Sequence, residues 1–229
     1  MEIEFKIVLP DEGSSAALLR ALERRGAAQG ATRRQVNHYF DTNDRALRSA
    51  KLALRLREEN ASFAITAKGG SRRSAGGVLT SRPEVESKVS TEVAKGVLAG
   101  HTSALRALQD ALVDIDGEAA FLLQRVQETL GGRHLEYLGC FENERTRPGA
   151  VTITATGMQL ELLFEIDCTR FPGDRIEREV ELEIDDPDQA PAVEAWLHEL
   201  FAEIGVPWVT APSKAQRFFD ALHTRSDPR

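Results

Sequence analysis

Met1-Glu2-Ile3-Glu4-Phe5-Lys6-Ile7-Val8-Leu9 opens the chain and reads as a β-strand. Successive strand side chains point to opposite faces, so Glu2, Glu4 and Lys6 form one row and Ile3, Phe5 and Ile7 the other. One face is apolar and the other is ionised. An ordinary half-buried strand with its charges in water shows the same alternation, so the choice between the two readings rests on the rest of the chain.

Arg178-Glu179-Val180-Glu181-Leu182-Glu183-Ile184 repeats the pattern, with Glu179, Glu181 and Glu183 on one face and Val180, Leu182 and Ile184 on the other. Three carboxylates at two-residue spacing repel one another unless cations lie between them. Hard divalent ions take oxygen ligands of this kind. Basic residues are placed in the same manner. Arg55 and Arg57 stand opposite Leu52, Leu54 and Leu56, and Thr66 and Lys68 stand opposite Ile65 and Ala67. An arginine offers phosphate a planar fork and a lysine offers it a point charge, so cations carried on several strands would line a polyanion site.

The run Glu2-Ile3-Glu4-Phe5-Lys6 resembles the ExExK signature of the CYTH superfamily, the triphosphate tunnel metalloenzymes. That signature alone is weak, but further elements follow in the family's order. Tyr39-Phe40-Asp41-Thr42 resembles its short motif before the second strand, Leu54-Arg55-Leu56-Arg57 its paired arginines, and Thr66-Ala67-Lys68 its tunnel lysine strand. Arg82-Pro83-Glu84 resembles the arginine-glutamate strand, Phe141-Glu142-Asn143-Glu144-Arg145 a further arginine strand, and Phe164-Glu165-Ile166-Asp167 a strand ending in aspartate. Glu179-Val180-Glu181 is similar to the second acidic strand, and Ser213-Lys214 opens a basic C-terminal helix. The resemblance covers nearly the whole chain.

The resemblance implies metal-dependent attack on a triphosphate. Lys6, Arg55, Arg57, Lys68, Arg82, Arg145, Lys214 and, more weakly, Arg217 would bind the phosphates, with Lys6, Arg55 and Arg57 also stabilising the reacting group. Glu2, Glu4, Asp167, Glu179, Glu181 and Glu183 would hold one or two Mg2+ or Mn2+ ions, and a second metal or Glu84 would activate water. Inorganic tripolyphosphate leads as the substrate. Thiamine triphosphate or another organic triphosphate, cyclisation of ATP by a class IV-type adenylate cyclase, and polyphosphate binding without catalysis stay open.

The bulk properties agree. Many alternating strands with helices appended predict an α+β fold, a closed antiparallel β-barrel of about eight strands with helices packed outside. The 229 residues are read as one domain with a helical insertion at about 91–132. With 29 basic and 36 acidic residues and net charge −7, the chain does not look like a general nucleic-acid or membrane-surface binder. Two cysteines without CxxC spacing, and no long apolar segment, predict a reduced, cytoplasmic protein. Five scattered histidines argue against zinc, and His38 reads as structural.

Local signals fill in the remainder. Ser14 or Ser15 is expected to cap a helix that stops at Gly26. Residues 33–41 should form a strand, residues 69–77 a Gly-rich loop, and residues 78–86 a strand with Pro83 at an edge or bulge. In that strand Glu86 is read as facing solvent. Helical stripes include Leu105, Leu108 and Leu112, then Phe121, Leu122, Val126 and Leu130. Strands follow over 134–147, 151–156 and 159–170, with a hairpin at Arg147-Pro148-Gly149. Arg33, Arg34, Arg147 and Arg170 are expected to face water. A core helix begins at Pro191 and runs to Gly205, and a last helix packs through Phe218 and Phe219.

Overall fold

The computed structural model describes residues 2–70, 72–73, 79–113, 115, 117–155 and 158–225, with side chains omitted at 72–73, 155, 158 and 223–225. Two compact units interleave along the chain. One holds Arg34–Arg72 and Arg82–Glu142, and the other Glu2–Arg33, Arg73–Ser81 and Asn143–Arg229.

In the second of these, β1 (Glu2–Leu9) pairs antiparallel with β12 (Arg175–Glu183), which pairs in turn with β11 (Phe164–Phe171). The register puts Phe5, Leu182 and Phe164 in one row and Ile7, Val180 and Ile166 in the next of the same face. These residues are buried with Leu18 and Leu22 of α1 (Glu12–Arg24) and Val193, Leu197, Leu200 and Phe201 of α6 (Ala190–Ile204). Alternating strands and a 3.6-residue helical stripe each present one apolar face, and the core forms where the two meet. Gly205 ends α6 in the left-handed conformation (φ 67°), as its place after the apolar stripe predicts. The last helix, α7 (Lys214–Arg225), buries Phe218 and Phe219.

In the first unit, β2 (Ala31–Asp41), β3 (Ala53–Glu59), β4 (Ser62–Lys68) and β7 (Glu84–Val89) pair antiparallel in that order, β2 entering from Arg34 onward. Phe40, Leu54, Ala67 and Val85 share a row on the face that packs on α3 (Thr91–Leu98), α4 (Ala104–Ala111) and α5 (Gly117–Leu130). Asp41, the last residue of β2, accepts from the backbone amides of Thr42, Leu47 and Arg48, which explains an aspartate there. Two of those amides belong to α2 (Ala46–Ser49).

With β5 (Arg72–Arg73), β6 (Leu79–Arg82) and β8 (Glu136–Arg147), the hydrogen-bonded order is β5-β6-β1-β12-β11-β8-β2-β3-β4-β7. β9 (Val151–Ala155) and β10 (Met158–Leu162) form a separate pair. The α+β class and the antiparallel sheet are as expected, with ten strands in the order where about eight were anticipated. Two of the ten are short, and the strand expected over 78–86 breaks at Pro83, which has no N–H to give a ladder. Its first part pairs with β1 and its second with β4.

Other expectations need correction. Asp11, not Ser14 or Ser15, caps α1, accepting from the Ser14 amide. The strand expected over 159–170 is two strands broken at the exposed Leu163, and β9 pairs with β10 rather than closing a hairpin on β8. Phe121 is 61% exposed and does not complete its helical stripe, whereas Leu112, just past the end of α4, still packs against the core with Leu105 and Leu108. The expected loop over residues 69–77 lies mostly outside the described residues.

Candidate functional site

The face of β1, β12 and β11 opposite the core carries the first ionic cluster. Register sets Lys6 opposite Glu181 opposite Glu165, and Val8 opposite Glu179 opposite Asp167. This face is polar yet closed to solvent. Glu4 and Lys6 are each 5% exposed, and Glu179 and Asp167 each 1%. Burying such charges without partners would cost several kcal/mol apiece, so the pairing must be dense.

It is dense. Lys6 Nζ donates to Glu4 Oε1 at 3.0 Å and pairs with Glu181 Oε1 at 2.8 Å. Arg145 donates through Nε to Asp167 Oδ1 at 2.8 Å and through Nη2 to Asp167 Oδ2 and Glu181 Oε2, both at 2.6 Å, and it also pairs with Glu165. Lys214, the first residue of α7, places its ammonium 2.7 Å from Asp167 Oδ2 and 3.0 Å from Glu181 Oε1, and also against Glu179. Arg217, one turn on, binds Glu177 at 2.5 Å and Glu179, with its guanidinium 5.4 Å over the Phe171 ring. Asn143 donates to Asp167 at 2.8 Å and accepts from Thr169 at the same distance.

These contacts hold Asp167, Glu181, Lys214 and Arg145 in their charged forms. Burial alone would raise the carboxyls of Asp167 and Glu181, but Lys214 reverses that for both, aided by Arg145 and, at Glu181, by Lys6. Asp167 ends below the ordinary value and Glu181 well below it. Burial opposes the charge on Lys214 and Arg145, yet the surrounding carboxylates, Asp167 first, hold both above their ordinary values.

The second cluster lies on the non-core face of β3, β4 and β7. Tyr39, Arg55, Thr66 and Glu86 form one row across four strands, and Ala53, Lys68 and Glu84 another across three. Glu86 Oε1 accepts from Arg57 at 2.7 Å, and its Oε2 from Thr66 at 2.6 Å and Arg55 at 3.4 Å. Arg55 also donates to Thr66 at 3.1 Å and Asn37 at 3.3 Å, while its buried Nε has no acceptor. Lys68 pairs with Glu84 at 2.5 Å. Burial would raise Glu86, but Arg57, Thr66 and Arg55 hold it below its ordinary value.

Asp167, Glu179 and Glu181 each offer an oxygen within 4.8 Å of the others. The ammonium of Lys214 lies against all three, so the group already accommodates a cation. An all-oxygen donor set of this kind fits a hard divalent ion.

A family profile described as the CYTH domain matches residues 1–219. The chain belongs to the CYTH family. No curated protein sequence matches it. Among solved structures it is similar to a putative adenylyl cyclase from Hippeastrum described as having a dominant triphosphatase activity, at 25% identity over 96% of each chain and a TM-score of 0.72. It shares its fold with a putative adenylate cyclase from Bacillus halodurans, at 21% identity over 96% and 97% of the two chains and a TM-score of 0.61. A Pyrococcus horikoshii protein shares that fold at 16% identity, 96% and 99% coverage and a TM-score of 0.54.

Of the residues that the CYTH motifs suggest, Glu4, Lys6, Arg145, Asp167, Glu179, Glu181, Lys214 and Arg217 come together in the first cluster, and Arg55, Arg57, Lys68 and Glu84 lie on the ionic face of the second. Glu2 is half-buried on β1, and Arg82 half-buried at the end of β6. Glu183 is exposed at the end of β12, opposite Glu4 and apart from the Asp167, Glu179 and Glu181 group.

Sequence reasoning missed Glu165, Glu177 and Asn143, and it misread Glu86 and Arg147. Glu86 is partly exposed but binds both arginines, and Arg147 pairs with Glu165 at 2.8 Å. Glu165 and Glu177 each stand two residues from a recognised carboxylate, so the same alternation could have found them. Arg34 forms an exposed pair with Glu142, and Arg170 is exposed, both as expected. His38 bonds Tyr137 at 3.1 Å, as a structural histidine would. Cys140 and Cys168 are both free thiols. No described helix is long and apolar enough to cross a membrane.

Proposed function

We propose that this CYTH protein hydrolyses a triphosphate in a metal-dependent reaction, with inorganic tripolyphosphate as substrate and pyrophosphate and phosphate as products. The observation that carries this reading is the buried group of Asp167, Glu179 and Glu181 closed around a cation. The triphosphatase activity ascribed to the Hippeastrum protein supports it.

Asp167, Glu179 and Glu181, with Glu4 and Glu2 on the neighbouring strand, would hold Mg2+ or Mn2+. A bound ion of this kind neutralises charge on phosphoryl oxygens as a Lewis acid. Phosphoryl transfer asks mainly for positioning and charge stabilisation, which cationic side chains on strands supply. Lys6, Arg145 and Lys214 would bind phosphate oxygens beside the carboxylates; Arg55, Arg57 and Lys68 are the phosphate-binding cations of the second cluster, and Arg82 at the end of β6 is a further one. Glu84, paired with Lys68, orients the attacking water. The cations share their rows with carboxylates, amides and Thr66. The aromatic residue among them, Tyr39, is buried and stacked on Phe141, so these rows offer a substrate charge rather than a ring.

Phosphate release from tripolyphosphate, thiamine triphosphate, ATP and pyrophosphate, each with Mg2+ and Mn2+, tests the reading. Preference for tripolyphosphate is expected, with loss of release in Glu181→Gln. Release from pyrophosphate alone, or cyclic AMP formed from ATP as the main product, would overturn it.

A further inference from the structure

We propose that Lys214 is a removable counter-cation of the carboxylate group: it fills the group when metal is absent, and a divalent ion displaces it, turning its ammonium over to the phosphates. This rests on the metal-binding reading above. Lys214 contacts all three carboxylates, with Lys6 reaching Glu181 and Arg145 reaching Asp167 and Glu181. It therefore stands where an incoming ion must bind.

Space decides whether the two cations coexist. The Lys214 ammonium lies against an oxygen of each of Asp167, Glu179 and Glu181, so an ion bound by those same oxygens would meet it directly. Two cations that close in a low-dielectric interior repel strongly, and the one on a flexible stem gives way. The displaced ammonium is then available to a bound polyanion, so metal and triphosphate favour each other's binding.

The fold permits the exchange. Lys214 is the first residue of α7, on a flexible four-carbon stem. The helix keeps a separate hold one turn later, where Arg217 binds Glu177, which lies outside the carboxylate group. The ammonium can swing away while Arg217, Phe218 and Phe219 keep α7 seated.

The test uses the full chain without substrate. Calorimetry should show Mn2+ binding about tenfold tighter or more to Lys214→Gln than to the wild type, the scale of losing one competing charged contact. In parallel, Mn2+ should speed acylation of Lys214 by an amine-reactive reagent, read by mass spectrometry, while the exposed Lys95 reacts at an unchanged rate. Equal or weaker Mn2+ binding by a folded Lys214→Gln, or acylation of Lys214 that Mn2+ slows or leaves alone, would overturn the inference while leaving the metal reading intact. Absence of Mn2+ binding to both proteins would sink the metal reading and this inference with it. Should Lys214→Gln fail to fold, the wild-type acylation result decides.

Discussion

The two ionic clusters use the same strand alternation but differ in depth and in saturation. Around β12, Asp167 and Glu179 are almost wholly buried and each carboxylate of the group meets at least two cations. Around β4, the side chains of Arg55 and Arg57 are 14% and 21% exposed, they share Glu86, itself 32% exposed, and Arg55 keeps one buried N–H without an acceptor. A saturated, buried cluster changes only by exchanging one cation for another. A shallower cluster with an unmet donor can take an anion directly, since a buried donor left unpaired costs about 1–3 kcal/mol. Depth therefore suits the first cluster to a metal and the second to phosphate.

Removing a charge from each cluster tests that contrast most severely. Asp167→Ala leaves Arg145 and Lys214 undercompensated, and denaturant unfolding should show a loss of about 3–5 kcal/mol. A loss below about 1 kcal/mol would show that the cluster is not saturated. Arg55→Ala should lower triphosphate turnover by about 100-fold, while unfolding shows a change of no more than about 1 kcal/mol. If stability fell and turnover did not, the second cluster would be structural.

Acid separates the two further. Asp167 and Glu181 have folded-state values below their unfolded ones, so the stability they contribute is full above about pH 4 and is lost as pH falls through the depressed values. The wild-type urea midpoint should drop below about pH 4, and Asp167→Asn should flatten that decline. A wild-type curve that stays level in acid would break the comparison. The smallest effect belongs to Glu86→Gln, expected to cost about 1 kcal/mol or less because its partners are partly exposed. In that variant the KM for the triphosphate should change more than kcat, because Glu86 holds Arg55 and Arg57 without itself meeting phosphate.

Much of this was legible along the chain because a strand's side-chain period is two. Ile3, Phe5 and Ile7 fell in the core and Glu4 and Lys6 in the ionic cluster as alternation requires, and Gly205 marked the end of its helix. Capping and pairing were less legible. Asp11 outcompeted Ser14 by accepting from the Ser14 amide, and Leu163 looked like strand interior although β10 and β11 join different sheets. Glu86 looked solvated because nothing local reveals that Thr66 lies across from it and two arginines beside it.

The sequence by itself determined which residues share a strand face and which ions that face could attract, because local backbone geometry sets both. Only the tertiary structure decided the pairings: that Lys6 faces Glu181, that Asp167 faces Glu179, and that Lys214, more than thirty residues beyond Glu179 and Glu181, brings its charge into their midst. Register and helix docking follow from burying the apolar faces of several segments at once. No single stretch of chain holds that information.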